Sequence, residues 1–292
     1  MDLFRLNGVS CHLLVGDCLD ALRCVERGTV DLIVTSPPYA DRREHTYGGV
    51  PHDKYAGWFV ERAREFRRVL KPTGTFILNI KEGVQNYERL TYVLELIQEM
   101  RKDGWLWTEE YVWHKKNAIP GKWTYRLKDA WERLLQFNVC REFAIYQDAV
   151  KVPSKRSPDE RAKRRSLGSS QGRREMRTCS GFGIDESLAN PDMVLPSNVL
   201  HLPVVGMNKG HSAVFPEALP DFFIRLFTRP GDTVLDPFMG SGTTGVASVK
   251  LGRNFIGVDK IPEYVSVSKK RIYDEWEHVW QARTKARSLF DF

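Results

Sequence analysis

The amino-acid sequence predicts an α/β fold: a Rossmann-like, doubly wound and mostly parallel sheet, with an antiparallel hairpin at its edge and a smaller inserted region. Segments with strand character alternate with segments of helical spacing along most of the 292 residues, as in sheets covered by helices on both faces. A glycine-rich turn at 236–245 lies between a buried strand and a helix, where such sheets bind ligands. Two aromatic, β-rich segments, 107–115 and 134–147, can pair as the hairpin.

The first part of the chain provides three strands, the start of a short helix and two longer helices. In the longer helix, Phe59, Ala63, Phe66 and Leu70 fall on one face, and the KPTG segment that follows opposes its continuation. In order, we expect a strand at 11–15, a turn and helix start at 16–22, a strand at 29–36, a helix at 53–70, a strand at 75–80 and a helix at 87–103. This alternation implies parallel strands.

The last third of the chain repeats the alternation once more. The segment ALPDFFIRLF, residues 218–227, has apolar side chains at the spacing of one helix face. Residues 230–259 predict a strand, the glycine-rich turn, a helix and a strand. Residues 262–287 predict a long surface helix. We therefore expect these elements to complete the same sheet.

Charge marks the boundary between the parts of the chain. Residues 151–177 hold ten Lys or Arg and three acids, with two prolines and two glycines. The chain is accordingly divided into residues 1–146, an inserted region at 147–205, and residues 206–292. The basic stretch suits either a solvated linker or an arm that contacts phosphates and orders on DNA, and charge alone leaves both open. The net charge of +7 favours a polyanionic partner.

Composition also limits the classes of protein and of site. No apolar run approaches the ~18–20 residues that span a bilayer, and the N-terminus lacks the basic-then-apolar order of a signal peptide. We therefore expect a cytoplasmic protein with no membrane partner. The five cysteines include no C-x-x-C pair, so neither a disulfide framework nor a zinc site is indicated, and no metal is expected.

The segment TSPPY ends the strand at 29–36 abruptly. Ser36 offers a hydroxyl, and Pro37 and Pro38 fix φ and donate no amide hydrogens, so the carbonyls here can point at a substrate. Tyr39 leaves an aromatic ring at the end of the strand. A plain turn after a strand is the alternative. The G-x-S-x-G elbow of hydrolases is absent, which disfavours Ser36 as a nucleophile.

The glycine turn carries the second signal. Gly240 and Gly242 let the backbone turn tightly and approach a ligand, and the helix that follows offers free amides at its N-terminus. Asp259 ends the next strand, where an acid can accept hydrogen bonds from both ribose hydroxyls. The turn lacks the P-loop lysine and departs from G-x-G-x-x-G, so it favours an adenosine without a pyrophosphate. The alternative is a tight turn without a ligand.

Together these segments resemble the amino-group DNA methyltransferases. DPFMGSGTTG resembles the S-adenosylmethionine loop of the family and TSPPY its [DNS]-P-P-[YFW] catalytic motif, while GDCLDAL resembles the segment whose acid contacts the adenine. The catalytic motif precedes the cofactor loop, as in the permuted β class. The resemblance implies S-adenosyl-L-methionine as cofactor. The catalytic residues it implies are Ser36, Pro37, Pro38 and Tyr39; the cofactor-binding residues are Asp17, Asp236, Phe238, Gly240, Ser241, Gly242, Thr243, Asp259 and His211.

The resemblance also assigns the three parts of the chain. Residues 1–146 would carry the catalytic part, 147–205 the variable basic target-recognition region, and 206–292 the cofactor-binding part. Double-stranded DNA is the implied partner. Residues expected to contact DNA are Arg42, Arg43, Lys115, Lys116, Arg164, Arg165, Arg173 and Arg174. A separately encoded restriction endonuclease is a further possible partner, and either a monomer or a homodimer fits the sequence.

The implied reaction needs no covalent intermediate, since a sulfonium methyl is already electrophilic. The Ser36 hydroxyl and the Pro37 carbonyl are placed to accept the hydrogens of an exocyclic amine and so free its lone pair. The base must be flipped out of the duplex to reach them, and Tyr39 offers it an aromatic face. Serine in the first motif position resembles the cytosine-N4 subgroup. No cysteine follows a proline, which disfavours cytosine-C5 chemistry.

Three alternatives stay open from the sequence. The first is adenine-N6 methylation, since Asp or Asn is only the more frequent first residue in that subgroup. The second is a catalytically idle module that binds S-adenosylmethionine or DNA, which the intact TSPPY disfavours. The third is methylation of RNA or of a protein amide, where N-P-P-Y would be expected.

Overall fold

The structure is a computed structural model that describes residues 2–6, 8–42, 48–118, 124–154, 192–205 and 215–288. Arg43, His211 and the four arginines predicted to contact DNA at 164, 165, 173 and 174 lie outside these ranges. The chain divides into two units, one of Met1–Tyr146 with Asn198–Phe292 and one of Gln147–Ser197. The division into three functional parts stays a prediction.

The larger unit is built on one nine-stranded sheet. Its strands are β1 (Asp2–Leu6), β2 (Val9–Val15), β3 (Val30–Thr35), β4 (Leu70–Ile80), β7 (Leu106–Lys115), β8 (Trp131–Asn138), β11 (Val199–Leu202), β12 (Thr233–Asp236) and β13 (Asn254–Asp259). Their order across the sheet is β1-β2-β13-β12-β3-β4-β8-β7-β11. The five central strands, from β2 to β4, are parallel, and β8 runs antiparallel to both β4 and β7. The predicted mostly parallel α/β sheet with a hairpin is therefore confirmed.

Helices cover both faces of this sheet. They are α1 (Cys18–Ala21), α2 (His52–Val69), α3 (Tyr92–Lys102), α4 (Ala218–Phe227), α5 (Thr243–Lys250) and α6 (Pro262–Ser288). The predicted apolar face of α2 is fully buried at Phe59, Ala63 and Phe66, and it packs with α3 over Ile33 and Phe76 of the sheet. Side chains alternate between the faces of a strand, so Leu32 and Val34 beside Ile33 belong to the opposite layer. Helices α4, α5 and α6 contact one another in sequence.

Four elements differ from the sequence prediction. The helix expected at 87–103 begins only at Tyr92, because a short hairpin of β5 (Val84–Gln85) and β6 (Glu88–Arg89) turns at Asn86 and Tyr87, both with positive φ. The strand expected at 134–147 ends at Asn138. The edge strands β1 and β11 have no counterpart in the prediction, since each is short and is defined by pairing with a neighbouring strand.

The KPTG segment after α2 has a different role from the one expected. The helix does end at Val69, but the following residues already belong to β4. The pairing of β3 with β4 slips between Val30 and Leu32, across this segment. Pro72 cannot donate a ladder hydrogen bond, so an irregular register here is expected.

The smaller unit contains a helical turn at Gln147–Val150 and an antiparallel pair of β9 (Val152–Pro153) and β10 (Met193–Val194). Residues 155–191, between these two strands, lie outside the described ranges. Across the whole described part of the chain, none of the helices has the length and apolar character required to cross a membrane.

Candidate active site

Two neighbouring cavities open at the carboxyl ends of the central parallel strands. The larger has a volume of about 520 Å³ and the smaller about 160 Å³. Pro38, from the turn after β3, and Phe238, from the turn after β12, line both of them. Ligands of open α/β sheets bind at this edge. A group held in one cavity therefore lies next to a group held in the other.

The larger cavity is lined by residues from five segments of the chain. Its walls are formed by Gly16, Asp17, Cys18, Pro38, Gly49, Val50, Pro51, Lys54, Trp58, Glu61, Arg62, Pro237, Phe238, Asp259 and Lys260. Three of the predicted cofactor-binding residues, Asp17, Phe238 and Asp259, are thus brought together. A volume of this size is typical of sites for drug-sized or cofactor-sized ligands.

Asp17 is fixed by its own helix and by an arginine. Its carboxylate caps α1 by accepting the Leu19 amide at 3.0 Å, and it forms an ion pair with Arg62 at 3.1 Å. Burial alone would raise the pKa of Asp17, but the Leu19 amide and the Arg62 charge outweigh burial and lower it. Asp17 therefore stays an anionic acceptor on the cavity wall.

Arg62 is a functional candidate that the sequence analysis missed. Its side chain is 8 % exposed, its guanidinium lies 4.2 Å from the Trp58 ring centroid, and Nη1 donates to the Trp58 carbonyl at 3.0 Å. The buried Nε has no hydrogen-bond partner among the described residues. A buried donor without a partner is costly, so a ligand acceptor in the cavity would be stabilised here. The sequence signal for a role of Arg62 was its charged side chain next to the apolar face of the helix.

Asp259 organises the cavity floor. Its Oδ2 accepts the Gly240 amide at 2.8 Å and its Oδ1 accepts the Ile261 amide at 2.9 Å. The side chain is almost fully buried and lines the larger cavity. Each carboxylate oxygen has two lone pairs, so a carboxylate with two amide donors can still accept ribose hydroxyls.

The glycine loop turns as the sequence predicts. Gly240 and Gly242 have φ of +52° and +80°, which favour glycine. A side chain at Gly242 would meet the Ser268 Cβ at 2.5 Å, so this glycine serves close packing of α5 on α6 rather than approach to a ligand. The Thr243 hydroxyl, at the start of α5, is buried, lines the smaller cavity and has no partner among the described residues. It is free to receive a ligand carboxylate beside the helix N-terminus.

Asp236 holds the loop from within. Its carboxylate accepts the Thr35 hydroxyl at 2.6 Å, the Thr244 hydroxyl at 2.7 Å and the Phe238 amide at 3.1 Å. The side chain is 1 % exposed. The sequence analysis expected Asp236 to contact the cofactor. From these contacts we expect it to shape the cofactor loop instead. Burial raises the pKa of Asp236 to about 6, against the lowering effect of the two hydroxyls.

The raised pKa of Asp236 predicts a pH-dependent stability. Between pH 4 and pH 6 the folded protein holds a proton at Asp236 that the unfolded chain has lost, so its stability falls as pH rises. A pKa change from 3.8 to about 6 corresponds to about 3 kcal/mol, since one unit is about 1.4 kcal/mol. In urea unfolding, we compare the free energy of unfolding of the wild type with that of Asp236→Asn. The difference should fall by about 3 kcal/mol between pH 4 and pH 6 and stay constant above pH 6. A constant difference from pH 4 to pH 7 would contradict the raised pKa.

The smaller cavity is lined by the last four residues of the TSPPY turn. It is lined by Ser36, Pro37, Pro38, Tyr39, Asn79, Trp113, Lys115, Glu132, Val204, Phe215, Asp236, Phe238, Met239, Gly240, Ser241 and Thr243. The four predicted catalytic residues are therefore brought together with five of the predicted cofactor-binding residues. Their roles in catalysis and binding stay predictions.

A hydrogen-bond network runs along the wall of the smaller cavity. Ser36 Oγ donates to the Tyr39 hydroxyl at 3.4 Å, and the Tyr39 hydroxyl donates to Glu132 Oε2 at 2.7 Å. Asn79 Nδ2 donates to the same oxygen at 3.0 Å, while Lys115 Nζ donates to Glu132 Oε1 at 2.5 Å. With its hydrogen directed to Tyr39, the Ser36 hydroxyl keeps its lone pairs for a substrate donor.

The TSPPY backbone is also fixed from the core. The Pro38 carbonyl accepts the Tyr55 hydroxyl at 2.9 Å, which fixes the turn against α2. Burial, followed by the Glu132 charge, raises the pKa of Tyr39 well above its ordinary value, so its hydroxyl remains protonated. The Tyr39 ring packs against the core and is held at its hydroxyl end. A fixed ring suits the predicted platform for a base.

The residues predicted to contact DNA fall into different environments. Lys115 is not a surface lysine: it lines the smaller cavity and pairs with Glu132. Lys116 and Arg42 are exposed. Among the described residues no group of three or more His, Cys, Asp or Glu side chains is placed to hold a metal ion.

Comparisons with known proteins identify the family and the fold. The model of a family described as DNA methylase, N6_N4_Mtase, matches residues 30–270. The Type II methyltransferase M.PvuII of Proteus hauseri is 28% identical over 290 residues, covering 90% of this chain and 83% of that protein.

Solved structures share the fold. PvuII DNA methyltransferase (cytosine-N4-specific) aligns with a TM-score of 0.66 at 23% identity, covering 95% of this chain and 96% of its own. TTHA0409 from Thermus thermophilus, named a putative DNA modification methylase and solved with S-adenosyl-L-methionine, aligns with a TM-score of 0.59 at 24% identity, covering 90% and 93% of the two chains.

Proposed function

The chain belongs to the DNA methylase family whose model it matches over residues 30–270, and on that premise we propose that it transfers a methyl group from S-adenosyl-L-methionine to the exocyclic N4 amine of a flipped-out cytosine in duplex DNA. One observation carries this proposal. The TSPPY turn lies in a cavity that meets a larger, cofactor-sized cavity at Pro38 and Phe238.

The residues of the two cavities fit S-adenosylmethionine. Asp17, whose pKa is lowered, and Asp259 are the candidate acceptors for an adenine amine and for ribose hydroxyls, and Trp58 and Phe238 supply aromatic surface. The unpaired Arg62 Nε and Thr243 hydroxyl are buried donors that a polar ligand would satisfy. When bound, S-adenosylmethionine supplies a methyl group on a sulfonium, which is a good leaving group.

The protein has two tasks in the reaction. It must hold the amine close to the methyl group, which contributes through proximity and orientation. It must also free the amine lone pair, which is delocalised into the ring. Ser36 Oγ, oriented by Tyr39 and Glu132, accepts one amine hydrogen, and the Pro37 carbonyl is the candidate for the other. The role of Pro38 is to hold the turn through Tyr55.

The choice of cytosine is supported by the residues and by the relatives. Ser36 occupies the first motif position, where the cytosine-N4 subgroup has serine. The solved structure with a TM-score of 0.66 is named cytosine-N4-specific. The relatives named Type II methyltransferases support a further part of the proposal, that the chain protects a short DNA site from a separately encoded endonuclease.

Asp259→Ala should weaken cofactor binding. The variant loses the acceptor proposed for the ribose hydroxyls and the anchor of the Gly240 amide. Hydrogen bonds to a charged group contribute about 1.5–3 kcal/mol, so the dissociation constant for S-adenosylmethionine should rise about tenfold or more in calorimetry. Asp232→Ala is the matched control, since the Asp232 carboxylate also accepts a backbone amide, that of Arg229 at 2.7 Å, but lines neither cavity. An unaltered dissociation constant in Asp259→Ala would refute the ribose contact.

The proposed function is tested by mapping methylated positions. Plasmid DNA from a host without its own DNA methyltransferases is incubated with the purified chain and S-adenosylmethionine, and is then sequenced with detection of modified bases. We expect modification of cytosine at one short sequence. Modification confined to adenine would give the N6 activity instead. Unmodified DNA alongside methylated RNA would reject DNA as the substrate.

A further inference from the structure

We propose that Lys115 selects cytosine over adenine by donating a hydrogen bond from its ammonium group to the O2 carbonyl of the flipped base. This inference rests on the proposed function and deepens it. The sequence analysis placed Lys115 among phosphate contacts, and its environment is the reason for a different assignment. The side chain is only 18 % exposed and lines the cavity that contains Ser36.

The ammonium group is held in place from two sides. Nζ donates to Glu132 Oε1 at 2.5 Å and lies 4.9 Å from the centroid of the Trp113 ring. The backbone is fixed as well, since the Lys115 amide donates to the Ala130 carbonyl at 2.8 Å at the end of β7. A lysine fixed by a carboxylate and an aromatic face is an ordered donor rather than a mobile surface charge.

Glu132 pairs with this lysine through one of its two carboxylate oxygens. Its second oxygen, Oε2, accepts the Tyr39 hydroxyl at 2.7 Å and Asn79 Nδ2 at 3.0 Å, so the carboxylate is surrounded by donors. A paired ammonium carries three hydrogens and no acceptor. One hydrogen is used by Glu132, and the others are available to a ligand in the cavity.

The same carboxylate connects the lysine to the catalytic hydroxyl. Ser36 Oγ contacts the Tyr39 hydroxyl, which contacts Glu132, which contacts Lys115. The wall of the cavity therefore presents an acceptor at Ser36 and a cationic donor at Lys115. A base that binds along this wall needs an amine at one end and an acceptor at the other.

Cytosine has this pattern and adenine does not. In cytosine the amine-bearing carbon is followed in the ring by N3 and then by the carbon that carries O2, a strong acceptor. In adenine the corresponding ring carbon carries only hydrogen. With adenine in the cavity, the ammonium hydrogen that would bind O2 of cytosine loses its water and gains no acceptor. An unpaired donor in a cavity costs more free energy than a missing contact in water.

Lys115→Met is the direct test, with Lys116→Met as the matched control. Lys116 is the exposed neighbour, so its loss removes the same charge from outside the cavity. Duplexes carry either cytosine or adenine at the mapped target position. We expect Lys115→Met to lower the cytosine-to-adenine ratio of kcat/KM by about tenfold or more, from a lost hydrogen bond to a charged group. Lys116→Met should lower both values alike and leave the ratio within twofold.

Two further variants separate base selection from structural damage. Lys115→Gln retains a donor and should recover part of the ratio. The double variant Lys115→Met with Glu132→Gln leaves no unpaired carboxylate, so a low ratio in this variant is not caused by a stranded charge. The dissociation constant for S-adenosylmethionine should be unchanged in Lys115→Met.

The outcomes are distinguishable from failure of the proposed function. A wild type that methylates cytosine, together with a Lys115→Met ratio within twofold of it, overturns the Lys115 assignment alone. Equal losses of kcat/KM on the cytosine and adenine duplexes, together with a weaker salt dependence of DNA binding, would identify Lys115 as a phosphate contact. A wild type that methylates only adenine, or no DNA, overturns both proposals.

Discussion

Ser36→Ala is expected to reduce the turnover of DNA methylation by about 100-fold, the scale of one lost hydrogen bond in a transition state. The hydroxyl lines the cavity that meets the cofactor cavity, and its hydrogen is directed to Tyr39 at 3.4 Å. Its lone pairs are therefore free for the amine hydrogen. Single-turnover methylation of a duplex at saturating S-adenosylmethionine measures the change.

The cofactor provides the control for this prediction. Ser36 lines only the smaller cavity, while Asp17, Arg62 and Asp259 line the larger one. The dissociation constant for S-adenosylmethionine should therefore change less than twofold in Ser36→Ala. Ser36→Asn retains an oxygen acceptor and should keep more activity than Ser36→Ala. Unchanged turnover in Ser36→Ala would falsify the assigned role.

Arg62→Met is expected to lower both stability and cofactor affinity. The substitution leaves Asp17 without its ion pair at 3.1 Å and removes a donor to the Trp58 carbonyl. Removing one partner of a buried pair costs about 3–5 kcal/mol. Asp17 keeps 35% of its side chain exposed, so we expect about 2 kcal/mol in urea unfolding, by the weaker scale of partly exposed pairs. The dissociation constant for S-adenosylmethionine should rise tenfold or more, since Arg62 lines the larger cavity and holds the Asp17 carboxylate in place.

Arg64→Met is the matched control on the same helix. Arg64 also forms an ion pair, with Asp103 at 2.8 Å, but its side chain is 66% exposed and does not line the larger cavity. We expect it to change stability by less than 1 kcal/mol, as exposed pairs do, and to leave the affinity within twofold. Equal affinities in Arg62→Met and Arg64→Met would contradict a role of Arg62 in the cofactor cavity. The double variant Arg62→Met with Asp17→Asn shows whether the stability loss comes from the stranded carboxylate.

Local sequence signals predicted the two turns of the site. Ser36 to Tyr39 and the loop with Gly240 and Gly242 are each encoded within a few residues, because prolines fix φ and glycines permit positive φ. Strand and helix periodicity predicted the parallel sheet, and the sheet brings the two turns to one edge. This part of the site was therefore accessible without coordinates.

The supporting residues could not be predicted in the same way. Glu132 is 93 positions from Tyr39 along the chain, and Arg62 is 45 positions from Asp17. Each pair depends on tertiary packing of separate elements. Lys115 is the clearest example. Its basic sequence neighbours predicted a surface residue, whereas the pairing of β7 with β8 places Glu132 opposite Trp113 and beside Lys115.

The edge strands show the same limit. β11 contains only four residues, and its identity as a strand comes from parallel pairing with β7, 87 positions earlier in the chain. The start of α3 at Tyr92 also depends on neighbouring structure. A tight hairpin turn at Asn86 and Tyr87 stands where the sequence predicted the first helical turn. Asn86 is of a residue type enriched at positive φ, but Tyr87 is not, so the sequence gave only a weak signal for this turn.

The central claim is that the adjoining cavities direct a methyl group to the exocyclic amine of cytosine in DNA. The most direct test incubates duplex DNA with the wild type and S-adenosylmethionine that carries a deuterated methyl group. The DNA is then digested to nucleosides, which are separated by liquid chromatography with mass detection. The account predicts deuterated N4-methyldeoxycytidine with the wild type and a loss of about 100-fold in its rate of formation with Ser36→Ala. Label found only in N6-methyldeoxyadenosine or in 5-methyldeoxycytidine would contradict it.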